Sequence, residues 1–420
     1  MNKRAKSPKT KGGKIMAKVL LVILAVLLAI GLALGIVASA NEQNKAEMME
    51  YIDTFASQAV EPVYHPEKDE HGNWYFTPAE GDDFKVLHLT DIHLGGGIFN
   101  TETDKKTINA VAAMVKAEEP DLVIVTGDIA YAIAIGGTIN NKHAHDMFTH
   151  LMETLGVYWT VAFGNHDTEP YNLHNRAAVA DMYANESFSR CLFMHSPEGV
   201  AGEGNHVINI KNSEGKTIRS LFMIDSHSYV RQDLVGGLID SLMWNYDAIK
   251  QSQVDWYEDM IELYNPENSF MFFHIPLREV KVGYDEFVAN GREDTDNVKW
   301  HGGKDGEEGN VVVYASEVED ALFEKVEELG NTRAMFFGHD HFNNFVLEYK
   351  GVIFSYGHSV DYIAYGDIGA KGYQRGCTVI TLGADGQFDE SDIVHENYYQ
   401  DKYVSLYEKE TVDMYPYFDR

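Results

Sequence analysis

Only two cysteines, Cys191 and Cys377, occur in 420 residues, which excludes a disulfide scaffold and a zinc site built from thiolates. Basic residues are also scarce: 34 Lys and Arg stand against 65 Asp and Glu, for a net charge of -31. A field of that sign repels nucleic acid and anionic membrane surfaces, so no nucleic-acid partner is expected. There is no internal repeat and no low-complexity tract. What is present is ordinary globular material, 45% hydrophobic and 12% aromatic, enough to build a sizeable core.

The one long hydrophobic run lies near the start. Residues 1–18 form a basic tail containing Lys3, Arg4, Lys6, Lys9, Lys11, Lys14 and Lys18 and no acid. Val19–Ala38 follows without a charge, and twenty helical residues reach about 30 Å, the thickness of a bilayer's hydrocarbon core. Its length favours an uncleaved anchor over a signal peptide, whereas Ala38-Ser39-Ala40 resembles a cleavage site. Residues 19–40 are therefore expected to be a transmembrane anchor or signal, with the basic tail cytoplasmic and the remainder extracytoplasmic. Cleavage near Ala40 would instead release a secreted protein. Beyond residue 40 the balance is 27 basic to 65 acidic residues.

Residues 41–83 lack a clear period apart from a helical stretch near 44–57, and are expected to form a stalk and entry segment. From Phe84 onward, short β-rich apolar runs end abruptly in polar residues: 85–90, 122–126, 157–163, 220–224, 269–273 and 334–337. Helical spacing separates them, as in 106–117 and 316–329, and the alternation predicts an α/β domain over 84–385. Residues 284–310 are aperiodic and acidic, and are expected to form a functional loop. Residues 386–420 form a Tyr-rich acidic C-terminal tail.

The polar residues that end these strands carry the chemistry. In order they are Asp91 and His93, Asp128, Asn165 and His166, His274, and His339 and His341. Strand carboxyl ends are where open α/β sheets place ligand sites. Oxygen and imidazole donors without thiolate suit Mn, Fe, Zn or Ni, and one carboxylate can bridge two ions. A lone His before Pro, such as His274, is ordinarily a turn residue, and His143, His145, His150 and His174 read as accidental neighbours. Five elements in order, each after a buried strand, are not accidental.

Asp91-Ile92-His93, Gly127-Asp128, Gly164-Asn165-His166-Asp167, His274 and Gly338-His339-Asp340-His341 resemble the signature of calcineurin-like metallophosphoesterases. Phe272–Leu277, Gly338–Phe345, Gly202–Asn205, Tyr356-Gly357 and Arg375-Gly376 are similar to the purple-acid-phosphatase-like, Dcr2-related branch. The resemblance implies a four-layer α/β/β/α sandwich of two mixed sheets. It implies one ion held by Asp91, His93 and His341, a second held by Asn165, His274 and His339, and Asp128 as the bridge. His166 would serve the leaving oxygen, and Asp167 would either orient it or serve a local turn. True purple acid phosphatases have Gly in place of His93 and use a tyrosinate; here both His93 and Tyr131 occur, and the expectation is ligation by His93 with Tyr131 packed beside it.

The implied activity is hydrolysis of a phosphoester by hydroxide generated at two divalent or trivalent metal ions, outside the membrane. Arg278 and Arg176, with Arg292, are the basic residues expected to help an anionic substrate. A nucleotide or cyclic-nucleotide phosphodiesterase would use the same ligands. A tethered binding or wall-associated module on a phosphatase scaffold would instead show missing ligands, and none is missing.

Overall fold

The computed structural model describes residues 11–132, 138–384, 386–410 and 412. Helix α1 (Lys11–Asp53) opens the chain. Its apolar stretch, within a segment whose mean hydropathy reaches 3.2, is exposed all round and long enough to cross a membrane. Farther along the same helix the pattern changes: Asn41, Asn44, Met48 and Ile52 are buried, a one-sided spacing of three and four residues. This end of α1 packs on α2 (Thr101–Glu118) and α3 (Lys142–Leu155). Residues expected to be a stalk are thus built into the body. Their apolar positions are few, but they fall on one helical face.

Two mixed sheets form the centre. The smaller has five strands in the order β14 (Ile393–Asn397), β13 (Gly376–Leu382), β3 (Phe84–Leu89), β4 (Leu122–Thr126) and β5 (Trp159–Ala162). Strands β3, β4 and β5 are parallel, with Val86 beside Leu122 and Val123 beside Trp159. They are buried on both faces, which accounts for their unbroken apolar sequences.

The larger sheet has nine strands. Its order is β1 (Glu67–Lys68), β2 (Trp74–Phe76), β6 (His206–Lys211), β7 (Thr217–Met223), β8 (Asn268–Phe272), β10 (Thr332–Phe337), β12 (Val352–Tyr356), β11 (Val346–Tyr349) and β9 (Val298–Gly302). β7, β8, β10 and β12 run parallel.

Three apolar clusters hold these elements together. One lies between the five-stranded sheet and α1–α4, where α4 is Arg176–Tyr183. A second, with Phe84, Ile124, Phe272 and Phe336, fills the space between the sheets. The third joins the nine-stranded sheet to α6 (Gln251–Tyr264), α7 (Arg278–Ala289) and α8 (Leu322–Leu329). One short helix, α5 (Leu234–Met243), leaves most of its apolar side chains outside these clusters.

Two further segments differ from their sequence reading. The stretch 284–310 contains the end of α7 and the edge strand β9, where Val298 and Trp300 point inward and Lys299 outward. Trp300 stacks on Phe287 with centroids 4.7 Å apart, a long-range contact that local periodicity could not signal. The Tyr-rich tail supplies β14 and buries Tyr398 and Tyr403, the latter donating to Glu118 at 2.7 Å. Both cysteines are free, and burial pushes their thiols up.

If the α1 end is part of the folded body, truncating Phe55, which is 1% exposed, removes core contacts. Phe55→Ala is expected to lower unfolding free energy by about 3–5 kcal/mol, read as a shift of the urea midpoint. A solvent-facing stalk would show no such loss.

Candidate metal centre

Every ligand candidate sits just past the carboxyl end of a parallel strand: Asp91 and His93 after β3, Asp128 after β4, Asn165 after β5, His274 after β8, and His339 and His341 after β10. The strands of both sheets therefore deliver their polar ends to one rim. The turns needed for this are tight. Asp91, His93, Asp128 and His339 all have left-handed backbone, with φ of 51°, 51°, 53° and 77°. Such residues cost of order 1–3 kcal/mol each and persist only where surrounding structure enforces them. Glycine makes the closeness possible. A Cβ on Gly338 would lie 1.8 Å from Thr90 Oγ1, and one on Gly164 would lie 2.1 Å from Asp128 Oδ1.

The side chains converge. One ligand atom each from Asp91, His93, Asp128 and His341 lie within 4.8 Å of one another, and all four residues are buried. Asp128 Oδ2 is 3.3 Å from His93 Nε2 and 3.1 Å from His274 Nε2. His274 Nε2 in turn lies 3.2 Å from Asn165 Oδ1 and 3.3 Å from His339 Nδ1. His341 Nε2 is 3.2 Å from Asp91 Oδ1. Two donors sharing an ion at about 2.0–2.2 Å are separated by about this distance. All seven sequence-predicted ligand residues are thus brought together, with Asp128 between the two groups.

The buried polar atoms fit a cation as well. Asp91 Oδ1 has no hydrogen-bond partner although it is fully buried. Burial opposes ionisation of Asp91, yet His341 holds its carboxyl down to about 2. Burial likewise opposes charge on His93, but Asp361 and Asp128 hold its imidazole up to about 9. His274 and His341 are raised despite burial, by Asp128 and Asp91 respectively. The whole cluster favours positive charge at its centre, which is the condition a divalent cation meets. His339 is pushed the other way by burial and by His274, leaving it a neutral donor. The donors form a dinuclear metal-binding cluster consistent with two divalent ions.

Two carboxylates that the sequence reading missed hold this arrangement. Asp361, from the loop after β12, faces His93 Nδ1 at 3.3 Å and His341 Nδ1 at 3.4 Å. It fixes both rings from behind, and its own oxygens accept from the amides of Ile363, Ala364 and Tyr365. Glu169 accepts from His166 Nδ1 at 2.6 Å and from the Tyr229 hydroxyl at 2.9 Å. Neither follows a strand end directly, so the pattern that found the ligands could not find them. Only the i+3 spacing of Glu169 from His166 was visible.

Four expectations are corrected. Asp167 does not touch the His166 ring; its carboxylate accepts from the amides of Asp128, Ile129, Ala130 and Gly164, tying the β4 and β5 loops together. Arg176 is not a phosphate clamp, because its guanidinium is consumed by Asp225, Gly164 O and Thr168. Arg278 points to the surface, donating to Glu319 at 2.6 Å. Arg292 is likewise engaged by Asp305 and Tyr284. Tyr131 lies flat on His93, with centroids 4.8 Å apart and planes 15° from parallel. Burial, then Asp361, pushes its phenol up.

The centre opens into a cleft of about 420 Å³ lined by His166, His339 and His341 together with Tyr131, Tyr229, Ser241, Trp244, Tyr246, Tyr314 and Tyr365. His166 stands at its wall, 28% exposed by its side chain. Among the described residues the lining contains no Lys or Arg, while Glu308 and Asp340 contribute carboxylates. Replacing Asp361 with Asn removes the charge behind two ligand rings without changing their backbone. Metal affinity is expected to fall about 10–100-fold, as read by metal retained after dialysis against graded chelator, with the fold unchanged by circular dichroism.

The chain is similar to probable inactive purple acid phosphatase 28 of Arabidopsis thaliana, 27% identical over 321 residues, covering 67% of this chain and 72% of that protein. It is also similar to phosphatase DCR2 of Saccharomyces cerevisiae, 27% identical over 221 residues, covering 47% of this chain and 35% of that protein. Among solved structures, a dimetal phosphatase from Danio rerio superposes with a TM-score of 0.43 at 12% identity, covering 72% of this chain and 94% of that one. The family model for calcineurin-like phosphoesterases matches residues 84–343, the span from β3 through the His339 and His341 loop, and the chain belongs to that family.

Proposed function

We infer that this chain is a dinuclear metal-dependent phosphoesterase whose ligands divide around Asp128. Asp91, His93 and His341 would hold one ion, Asn165, His274 and His339 the other, and Asp128 would bridge. The observation that carries this reading is the position of Asp128: one carboxylate oxygen lies within 3.3 Å of imidazoles from two different strand ends. Two cations held by these residues would supply Lewis acidity, which neutralises phosphoryl charge and lowers the pKa of water towards neutral pH.

The chain's own residues supply the rest. The His166 amide donates to Asp128 Oδ1 at 2.8 Å, which sets the imidazole at the edge of the metal centre. Glu169 takes Nδ1, leaving Nε2 to give a proton or hydrogen bond to the leaving oxygen. Asp167 keeps the two loops in register so that this distance holds. With no cation among the described lining residues, the cleft favours esters carrying one phosphoryl group over polyphosphates, whose extra charge would meet Glu308 and Asp340. A monoester and a diester both satisfy that condition.

The three apolar clusters support a four-layer α/β/β/α sandwich, and the exposed apolar stretch of α1 supports a single membrane span before it. The basic tail would then lie on the cytoplasmic side and the phosphoesterase domain on the outer side.

The purified full chain is expected to hold about two metal ions and to hydrolyse an aryl phosphate monoester or diester. Asp128→Asn is expected to lose metal and to reduce turnover by more than about 100-fold. A wild-type chain that takes up no Mn, Fe, Zn or Ni would overturn the reading. His166→Ala is expected to slow an alkyl ester by about 10²–10⁴-fold and an activated aryl ester much less, because only the poor leaving group needs the proton. Equal loss on both esters would remove His166 from that role.

A further inference from the structure

Part of the apolar surface that the molecule exposes lies beside the rim that carries the metal centre. Helix α5 has the sequence Leu-Val-Gly-Gly-Leu-Ile-Asp-Ser-Leu-Met, and among the described residues nothing covers most of its apolar side chains. Val235, Leu242 and Met243 are 66%, 79% and 71% exposed, and Trp244 directly after them is 56% exposed. The helix is anchored from beneath. Asp240 is buried and held by Arg231, and Gly237 lies so close to Pro170 that a Cβ would be 2.6 Å from its ring. A helix fixed by its polar side with its apolar side outward is built to present that side.

Its position ties it to the site. Ser241 and Trp244 line the cleft together with His166, His339 and His341, so the end of α5 reaches the pocket mouth through these two residues. Trp244 meets Tyr314 edge-on at 5.3 Å, and tyrosines make up much of the remaining wall. Amphipathic aromatic side chains are the ones that settle at a membrane–water interface.

The N-terminal helix leaves the body at the same rim. Asn41 accepts from the Ile98 amide at 3.0 Å, and His143 joins Glu42 to Gly96 O. Gly96 is three residues beyond His93. The exposed apolar part of α1 thus departs from the carboxyl ends of the parallel strands, beside the metal loops. Phe99 in that loop and Leu173 in the loop after β5 are 68% and 62% exposed. A span that began here would bring this rim, not the opposite end of the sheets, against the bilayer. Charge narrows the kind of surface: a chain of net charge -31 with no Lys or Arg on α5 does not suit an anionic bilayer.

We propose that the metal-bearing rim docks through α5 on a zwitterionic bilayer, and that the cleft takes the phosphoester of a membrane lipid whose apolar part rests along Val235, Leu242 and Met243. This rests on the phosphoesterase reading for its second half only. The docking half stands on exposure, the reach of α5 to the cleft and the exit point of α1.

The test uses the full chain reconstituted in phosphatidylcholine vesicles containing brominated acyl chains. The difference between wild type and Trp244→Phe isolates the emission of Trp244, and that emission is expected to be quenched. In Val235→Glu/Leu242→Glu the quenching is expected to be lost. Turnover of a lipid phosphomonoester doped into the vesicles should fall by about ten-fold or more relative to a soluble aryl phosphate, matching the loss of one large side chain's burial. Absence of quenching in wild type overturns the proposal. So does disulfide cross-linking of Leu242→Cys between two chains in lipid, which would assign α5 to a second copy. Lipid turnover that the double variant leaves unchanged overturns the substrate claim. Quenching with no turnover of any ester would instead leave docking intact and sink the phosphoesterase reading, so the two failures are separable.

Discussion

Buried negative charge at the strand ends is the constraint on which the rest of this structure depends. Asp91, Asp128 and Asp361 are all within about 1% of complete burial, and among the described residues the ion pairs of their carboxylates are with histidines and not with Lys or Arg. Carboxylates in such a place are costly unless cations or hydrogen bonds compensate them. Imidazoles surround them instead, and the opposed shifts of the two groups define a site for positive charge. Asp128 is the pivot, because it meets ligands delivered by both sheets. The two sheets therefore have to be held in one relative register for the centre to exist.

That requirement explains features that would otherwise look wasteful. Four non-glycine residues adopt left-handed backbone at this rim, and Gly164 and Gly338 allow approaches that any side chain would block. Strain of this kind is tolerated because the strands beneath are buried on both faces and cannot relax. Asp167 contributes by a route distinct from chemistry, since four amides from two loops converge on one carboxylate. The rigid part of the site is thus hydrogen-bonded backbone, and the metal ligands are carried upon it. Asp361 and Glu169 extend the same logic outward, each fixing an imidazole through the nitrogen that faces away from the reacting centre.

Electrostatics also separates this cleft from one that grips phosphate with arginine. The arginines near the rim are engaged by carboxylates or carbonyls, and the lining is aromatic and hydroxylic. Attraction for an anionic ester must come from the metal pair over a short range, against a long-range field of the opposite tendency. A substrate held in place by apolar contact at the mouth would be less affected by that field than a freely diffusing polyanion. The exposed helix α5 reaches the aromatic wall of the mouth through Ser241 and Trp244.

The class of fold and the row of donors at the strand ends were legible in the sequence, for a local reason. Buried parallel strands are short apolar runs, and the ligands follow immediately at their ends, so each pairing of strand and donor is visible within about ten residues. A place for Tyr131 beside the site was also expected, but its stacking on His93 was shown only by the tertiary structure. The packing of residues 41–58, the edge strand within 284–310 and the tail strand β14 were not legible, because each is stabilised by partners far away in sequence. Phe287 against Trp300 and Tyr403 on Glu118 are examples. The roles of Asp167, Arg176 and Arg278 were decided only by the tertiary structure, since a charged side chain's partner is set by what the fold brings near it. The same holds for Asp361, which lies 268 residues from His93 in the chain and 3.3 Å from it in space. Sequence determined which donors stand at the strand ends; tertiary structure determined which atoms face one another across the two sheets.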